Sequence, residues 1–165
     1  MSNYVFIIDT SYLLELYKVP GRFNATSSLT IKEKFKAAAI NKARFVVPFP
    51  CIFELANHIA HVQDGGQRGV LSGALFQAVK SSLVQGDPWI IPPQKEQNEL
   101  LQSLCQIYYE ETCCVGCGLT DTFIIEEAKH WKRKYNQVGY HIHIWTKDHN
   151  LKAFEPDHES NPFTG

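Results

Sequence analysis

The sequence lacks any run of about 18 consecutive apolar residues, so its hydropathy predicts no membrane-spanning helix. Its N-terminus, MSNYVFII, lacks both the basic segment and the small-residue cleavage site of a secretion signal. We therefore expect a mature cytoplasmic chain that does not enter a membrane. The 165 residues contain no repeat and no low-complexity segment, and their number is typical of one domain. We assign the domain to residues 1–155 and a C-terminal tail to residues 156–165.

An excess of positive charge is missing as well. The chain has 16 Lys and Arg against 17 Asp and Glu, which gives a formal net charge of −1. This balance argues against a protein that holds nucleic acid by bulk electrostatics, because such proteins carry a basic surface. It does not exclude an enzyme that holds a few phosphates through a bound metal ion.

The chain has only five cysteines, an odd number that predicts reduced thiols in a chain large enough to fold without disulfides. Cys113, Cys114 and Cys117 include one C-x-x-C spacing, and His141 and His143 are a second pair of candidate ligands. A structural zinc site needs four ligands, and a second C-x-x-C pair is missing. We therefore favour ordinary thiols and keep zinc as the alternative.

Short apolar runs rich in β-formers alternate with helical patterns along the chain. The run YVFII at Tyr4–Ile8 is continuous, which is typical of a parallel strand covered on both faces. Three further strands are predicted at Phe45–Pro48, Trp89–Ile91 and His141–Trp145, and strands separated by helices indicate a parallel sheet in an α/β fold. Three helices are predicted in the first half: a short one through Leu13–Tyr17, one through the thirties with a Thr30–Glu33 capping box, and one from Pro50 to Gly65-Gly66. Two more are predicted at Val70–Leu83 and Gln94–Tyr109. The last helix is capped by Thr120 and reaches Tyr135, and a helical turn follows at His149–Phe154.

Four acidic residues adjoin these predicted elements. Asp9 directly follows the first strand, Glu54 lies one helical turn past the second, and Asp148 lies three residues past the last. Asp121 lies at the start of a helix, on the side of its apolar stripe. Open parallel sheets bind ligands beyond the carboxyl ends of their strands, so we expect the four carboxylates to share one edge. Clustered carboxylates repel one another unless a cation is present, and ligands that are all oxygen favour Mg²⁺ or Mn²⁺.

Each acid also has a purely structural interpretation. Asp9 and Asp148 could cap the helices that follow them, and the helix dipole could stabilise Asp121. Glu54 could lie on a solvated helix face with the histidines four and seven residues further along. These interpretations account for each acid alone, but not for the convergence of four acids on one edge.

The order of these segments resembles that of a PIN-domain nuclease. The resemblance rests on an apolar strand that runs into Asp9-Thr10-Ser11, on Glu54 in CIFELANHI, on GLTDTFIIEEA around Asp121, and on IWTKDHNL around Asp148. It implies a Rossmann-like three-layer α/β/α sandwich with a central, mainly parallel sheet of four or five strands. It also implies a hydrolase that cuts phosphodiester bonds in RNA with one or two Mg²⁺ or Mn²⁺ ions. Many small members of the family are VapC-type toxin ribonucleases of toxin–antitoxin pairs.

By position in the motifs, the resemblance assigns roles to two sets of residues. The catalytic and metal-binding set is Asp9, Glu54, Asp121 and Asp148. The set of hydroxyl residues that supports it by hydrogen bonding is Thr10, Ser11 and Thr146. Lys147, which lies between Thr146 and Asp148, is our candidate for binding a substrate phosphate. The implied partners are an RNA substrate, an antitoxin protein and a second copy of the chain.

The chain departs from a minimal toxin of this family in three longer segments, Val19–Leu29, Gly65–Gly69 and Cys113–Gly118. The alternative interpretation is a PIN-like module that binds nucleic acid or protein without cleaving it. A phosphatase of the haloacid-dehalogenase type is less favoured, because it needs a second Asp at the position that Ser11 holds.

Overall fold

A computed structural model describes residues 3–94 and 96–165, in which three strands and seven α-helices confirm the predicted mixed α/β class. The strands are β1 (Tyr4–Ile8), β2 (Arg44–Val46) and β3 (His141–Trp145). The helices are α1 (Thr10–Leu16), α2 (Ala25–Ile40), α3 (Phe49–Ala60), α4 (Gly65–Gln85), α5 (Gln97–Ile107), α6 (Leu119–Tyr135) and α7 (His149–Lys152). Short π-helical and 3-10 turns follow α5 at Tyr108–Thr112 and Cys113–Val115, and a 3-10 turn follows α6 at Asn136–Val138. Over the described residues, no helix has the length and apolar character needed to cross a membrane.

The three strands form one parallel sheet in the order β2-β1-β3. The predicted strand at Trp89–Ile91 contributes one isolated parallel bridge, between Ile90 and Val46. Pro88 and Pro92 flank this segment, and proline has no N–H to donate to a ladder. Within the described residues the sheet therefore has three strands, where the sequence predicts four or five.

Side chains alternate along the strands, so the sheet has two different faces. One face is aromatic: the rings of Phe6 and Trp145 stack with centroids 4.0 Å apart, and Phe35 of α2 packs edge-on against Trp145. On the other face, Arg44 of β2 donates a hydrogen bond to the Tyr135 hydroxyl of α6 at 2.8 Å. Helices thus cover both faces. The fully buried aliphatic side chains on the α6 face are Val5, Ile7, Val46, Ile142 and Ile144.

Two predicted helix boundaries are wrong, because stronger side-chain caps lie nearby. α2 begins after Asn24, whose side chain accepts a hydrogen bond from the N–H of Thr26. Thr30 lies inside this helix, and its hydroxyl donates to the carbonyl of Thr26. In the same way, Asp64 caps α4, so the glycine pair at Gly65 begins a helix instead of ending one.

The predicted tail, residues 156–165, packs along the outer edge of β3. The carboxylate of Asp157 accepts a hydrogen bond from the N–H of Ile142 at 2.7 Å, and the N–H of Asp157 donates to the carbonyl of Ile142. Just before the tail, Glu155 accepts from the N–H of Ile144 at 2.8 Å. These contacts satisfy the edge of β3 that does not pair with β1, and so protect it from pairing with another chain.

Candidate acidic site at the strand ends

Asp9 is the most enclosed of the four predicted acids, with 8% of its surface exposed. It directly follows β1 and caps α1, because its Oδ1 accepts a hydrogen bond from the N–H of Thr10 at 2.7 Å. Its Oδ2 accepts from the hydroxyls of Ser11 at 2.6 Å and Thr146 at 2.8 Å, and from the N–H of Ser11 at 3.3 Å. Burial raises the pKa of Asp9 above its ordinary value, although these hydrogen bonds oppose the rise.

Glu54 lies on α3, and threonine hydroxyls hold both of its carboxylate oxygens. Its Oε2 accepts a hydrogen bond from Thr10 Oγ1, and its Oε1 accepts one from Thr120 Oγ1, each at 2.7 Å. Thr10 belongs to α1 and Thr120 to α6, so one carboxylate joins three helices. The interpretation of Glu54 as a side chain on a solvated helix face does not describe this arrangement.

Asp121 lies in the first turn of α6, where its Oδ2 accepts a hydrogen bond from the N–H of Gly118 at 2.7 Å. Gly118 is the N-cap of the helix, so the prediction that Thr120 caps it is wrong. Asp121 Oδ1 accepts no hydrogen bond from the described residues. A purely structural role at the start of the helix therefore uses only one of the two carboxylate oxygens of Asp121.

Asp148 follows β3 and caps α7, with its Oδ1 accepting hydrogen bonds from the N–H groups of Asn150 at 2.7 Å and Leu151 at 3.2 Å. The residue is exposed to solvent, and its Oδ2 accepts no hydrogen bond from the described part of the chain. The N–H of Asp148 donates to Thr146 Oγ1 at 3.0 Å, and that hydroxyl in turn donates to Asp9.

These contacts form one chain of hydrogen bonds that links three of the four acids, while Asp121 is only the sequence neighbour of its last member. Its members, in order, are Asp148, Thr146, Asp9, Thr10, Glu54 and Thr120, and the last of these precedes Asp121. We call the four acids, Asp9, Glu54, Asp121 and Asp148, the strand-end cluster. The structure brings these acids together with the predicted hydroxyls. Sequence reasoning missed Thr120, for which the signal was a hydroxyl residue directly beside a site aspartate.

Asp121 lies close enough to the other three acids for their charges to affect its ionisation. Burial raises the pKa of Asp121, and the negative charges of Asp9, Asp148 and Glu54 raise it further, whereas the hydrogen bond from Gly118 lowers it. Among the described residues, no Lys, Arg or His forms an ion pair with any of the four acids. The cluster therefore holds negative charge that these residues do not neutralise by pairing.

Mg²⁺ or Mn²⁺ is the cofactor that the sequence predicts for this cluster. All of its donors are oxygens, which both ions prefer, and Asp121 Oδ1 and Asp148 Oδ2 are free to bind. In the part of the chain that the structure describes, no three His, Cys, Asp or Glu side chains already form a ligand set for an ion. The residues fit a divalent cation by donor chemistry and charge, and binding requires their side chains to rearrange.

Lys147, the predicted phosphate ligand, lies beside the cluster but is engaged with another acid. Its ammonium is 2.7 Å from Oε1 of Glu15, a residue of α1 that is 1% exposed and that sequence reasoning missed. Glu15 also accepts a hydrogen bond from the N–H of Asn24 at 2.9 Å. The N–H of Lys147 donates to the Ser11 hydroxyl at 3.0 Å. A phosphate contact for Lys147 stays a prediction.

Two buried thiols also adjoin the acids. Burial raises the pKa of Cys51 and of Cys117, and the nearby charges of Asp9 and Asp121, respectively, add to the two shifts. All five cysteines are free. The described residues contain no set of ligands that supports the zinc alternative.

Comparison with protein-family models gives no match to this chain, and comparison with curated proteins gives none either. Its function must therefore be inferred from the site and from the motifs that form it.

Proposed function

We propose that the protein is a divalent-metal-dependent ribonuclease of the PIN-domain type, which hydrolyses phosphodiester bonds in RNA. One observation carries the proposal: four acids converge at the carboxyl edge of a parallel sheet, threonine hydroxyls join three of them, and none has a paired cation among the described residues. Burial raises the pKa of Asp9 and of Asp121, and carboxyl groups with perturbed pKa values are typical of functional sites. The sequence motifs around the same acids support the nuclease class.

The finer description of the fold is part of this proposal. Helices on both faces of the sheet, α2 on one and α6 on the other, support a three-layer PIN-like sandwich. The bridge between Ile90 and Val46 lies where a fourth strand would extend the sheet beyond β2.

The residues of the cluster have separate roles in the proposed reaction. One or two Mg²⁺ or Mn²⁺ ions, when bound, make a water molecule a better nucleophile and offset the charge that develops on the leaving oxygen. Asp121 and Asp148 hold the ion through the oxygens that accept no hydrogen bond within the described chain. Asp9 is fixed by its hydrogen bonds to Thr10, Ser11 and Thr146 and contributes the remaining lone pair of Oδ1.

Asp121→Asn tests the proposal most directly. The amide oxygen can still accept the hydrogen bond from Gly118, so the helix start is retained while one negative ligand is lost. We expect Mn²⁺-supported cleavage of a fluorescent single-stranded RNA to fall at least about 100-fold. EDTA should abolish cleavage by the wild type, and Asp9→Asn should give a similar loss.

The matched control is Asp64→Asn, because Asp64 caps α4 and takes no part in the chain of hydrogen bonds. This variant should cleave as the wild type does. Equal cleavage by the Asp121 variant and the wild type, or cleavage that persists in EDTA, would show that the proposed site is wrong.

A PIN-like module that binds nucleic acid or protein without cleaving it is the second candidate. The lack of a ready set of three ligands in the described residues favours it. It predicts an RNA complex that forms in Mn²⁺ while the RNA stays intact, and the cleavage assay separates the two functions. An antitoxin protein and a second copy of the chain are proposed partners on the sequence resemblance alone.

A further inference from the structure

Glu54 is the one acid of the strand-end cluster whose two oxygens are both held by side-chain hydroxyls from other helices. Thr10 of α1 holds Oε2, and Thr120 of α6 holds Oε1. A glutamate side chain rotates about several bonds, and two anchors on opposite oxygens remove most of that freedom.

Thr120 occupies a particular position in this arrangement. It lies in the first turn of α6, directly before Asp121, so the same turn that presents the free Oδ1 of Asp121 also holds Glu54. The first turn of α6 thus carries one carboxylate of the cluster and contacts a second one from α3. The Thr120 hydroxyl does not cap that helix, because Gly118 is the N-cap.

A second threonine of α6 provides a contrast. Thr122 is fully buried, and its hydroxyl donates to the carbonyl of Gly118 at 2.8 Å and lies 2.6 Å from the hydroxyl of Thr112. These contacts join α6 to the preceding turn and reach no acid of the cluster. Thr122 therefore supports the fold, whereas the hydrogen bond of Thr120 goes to a site carboxylate.

We infer that Thr120 is a positioning residue for Glu54, whose hydroxyl fixes this carboxylate in the orientation in which the strand-end cluster binds a divalent cation. The inference rests on the proposed function. Groups that orient metal ligands by hydrogen bonding change metal affinity about 10–100-fold when they are removed. Thr120 is partly exposed, so water can replace its hydroxyl, and the lower end of this range applies.

The test compares three variants with the wild type by titration with Mn²⁺, in which the paramagnetic resonance of free Mn²⁺ reports binding independently of cleavage. Thr120→Val keeps the shape of the side chain without the hydroxyl and should weaken Mn²⁺ binding about 10-fold. Thr120→Ser restores a hydroxyl and should bind within about twofold of the wild type. Thr122→Val, the matched control, should unfold at a lower temperature yet bind Mn²⁺ with unchanged affinity.

The outcomes distinguish this inference from the proposed function. If the wild type binds Mn²⁺ and cleaves RNA while Thr120→Val binds Mn²⁺ equally well, only the inference is overturned. It is also overturned if Thr120→Ser binds as weakly as Thr120→Val, since the hydroxyl is then not the cause. If the wild type neither binds Mn²⁺ nor cleaves RNA, the proposed function fails and the inference fails with it.

Discussion

Two acidic clusters of this chain balance their charge in different ways. The strand-end cluster accepts hydrogen bonds from hydroxyls and backbone N–H groups and forms no ion pair with the described residues. The tail cluster, Glu155, Asp157 and Glu159, lies along the outer edge of β3, and each of its acids is paired with a lysine. The lysines are Lys34, Lys132 and Lys152.

In the two clusters, the acids whose pKa values shift do so in opposite directions. In the strand-end cluster, burial raises the pKa of Asp9 and of Asp121. In the tail cluster, burial alone would raise the pKa of each acid, but hydrogen bonds and the charges of the lysines more than reverse this effect. A lowered acid pKa adds stability at neutral pH, whereas a raised one subtracts it. At neutral pH the tail cluster therefore adds to the stability of the fold, whereas Asp9 and Asp121 subtract from it at a place where a bound cation would offset the loss.

Lys152→Met should have the largest effect on stability. The Lys152 ammonium contacts Glu155 and Glu159 and donates to the carbonyl of Ile144 at 2.8 Å. Removing it leaves the largely buried Glu155 without this cation, and breaking a buried pair on one side costs about 3–5 kcal/mol. At the low end of this range, we expect the midpoint of thermal unfolding to fall by roughly 10 °C at pH 7 in EDTA.

Lys129→Met is the matched control for this prediction. Lys129 pairs with Glu126 on the outside of α6, where the side chains are 40% and 28% exposed. Such a surface pair contributes about 1 kcal/mol or less. Equal losses in the two lysine variants would mean that the tail cluster stabilises the fold no more than an ordinary surface pair does.

Mn²⁺ should stabilise the wild type and leave Asp121→Asn almost unchanged. A ligand at 100 times its dissociation constant adds about 2.7 kcal/mol to the free energy of unfolding. Lys152→Met should gain as much from Mn²⁺ as the wild type, since the tail cluster takes no part in binding. Thermal unfolding with and without Mn²⁺ measures this stabilisation for the wild type and for both variants. An equal gain in the Asp121 variant would separate cation binding from the strand-end cluster.

The positions of the acids could be predicted from the sequence because they depend on local patterns. The apolar run YVFII and the alternating HIHIW give strands with the predicted bounds, Tyr4–Ile8 and His141–Trp145. Asp9 and Asp148 follow these strands directly or within three residues. Once the strands are parallel, their ends meet at one edge, so the location of the site follows from strand order and direction.

The partners of the acids could not be predicted in the same way. The hydrogen bond from Thr120 to Glu54 joins residues 66 positions apart, and the pair of Lys147 with Glu15 joins residues 132 positions apart. Such contacts depend on how α1, α3 and α6 pack, and no local pattern in the chain records that packing. The contacts of the tail with β3 were missed for the same reason, because Asp157 lies in a segment without strand-like alternation.

The pH dependence of Asp121→Asn should show that Asp121 and the tail cluster contribute to stability with opposite signs at neutral pH. Because the pKa of Asp121 is raised in the folded state, its unfavourable contribution is present at neutral pH and disappears as pH falls through that pKa. Without metal, the variant should have a higher free energy of unfolding than the wild type at neutral pH, and the two values should converge in acid. Both should lose stability in acid, since the lowered pKa values of the tail cluster contribute only while those acids are ionised.

Asp64→Asn again provides the control, because Asp and Asn cap helices about equally well and Asp64 belongs to neither cluster. At neutral pH its free energy of unfolding should match that of the wild type. A wild type that stays more stable than Asp121→Asn at neutral pH would mean that the Asp121 carboxylate stabilises the folded chain.

Tyr12→Phe should have the smallest effect on stability. It separates the contribution of an uncharged anchor of the tail, the hydrogen bond from Tyr12 to Phe163, from that of the tail's ion pairs. The Tyr12 hydroxyl donates to the carbonyl of Phe163 at 2.6 Å, while the tyrosine ring is buried against Trp145. Removing one hydrogen bond of this kind costs about 1 kcal/mol, or roughly 2–4 °C in the unfolding midpoint.

Tyr109→Phe is the control, because Tyr109 is largely exposed and should tolerate the same change. Mn²⁺ binding should be unchanged in both variants, since the ring of Tyr12 lies on the aromatic face of the sheet and its hydroxyl reaches no acid of the strand-end cluster. A loss in Tyr12→Phe as large as that in Lys152→Met would mean that the tail is held mainly by this anchor and that its lysine pairs add little.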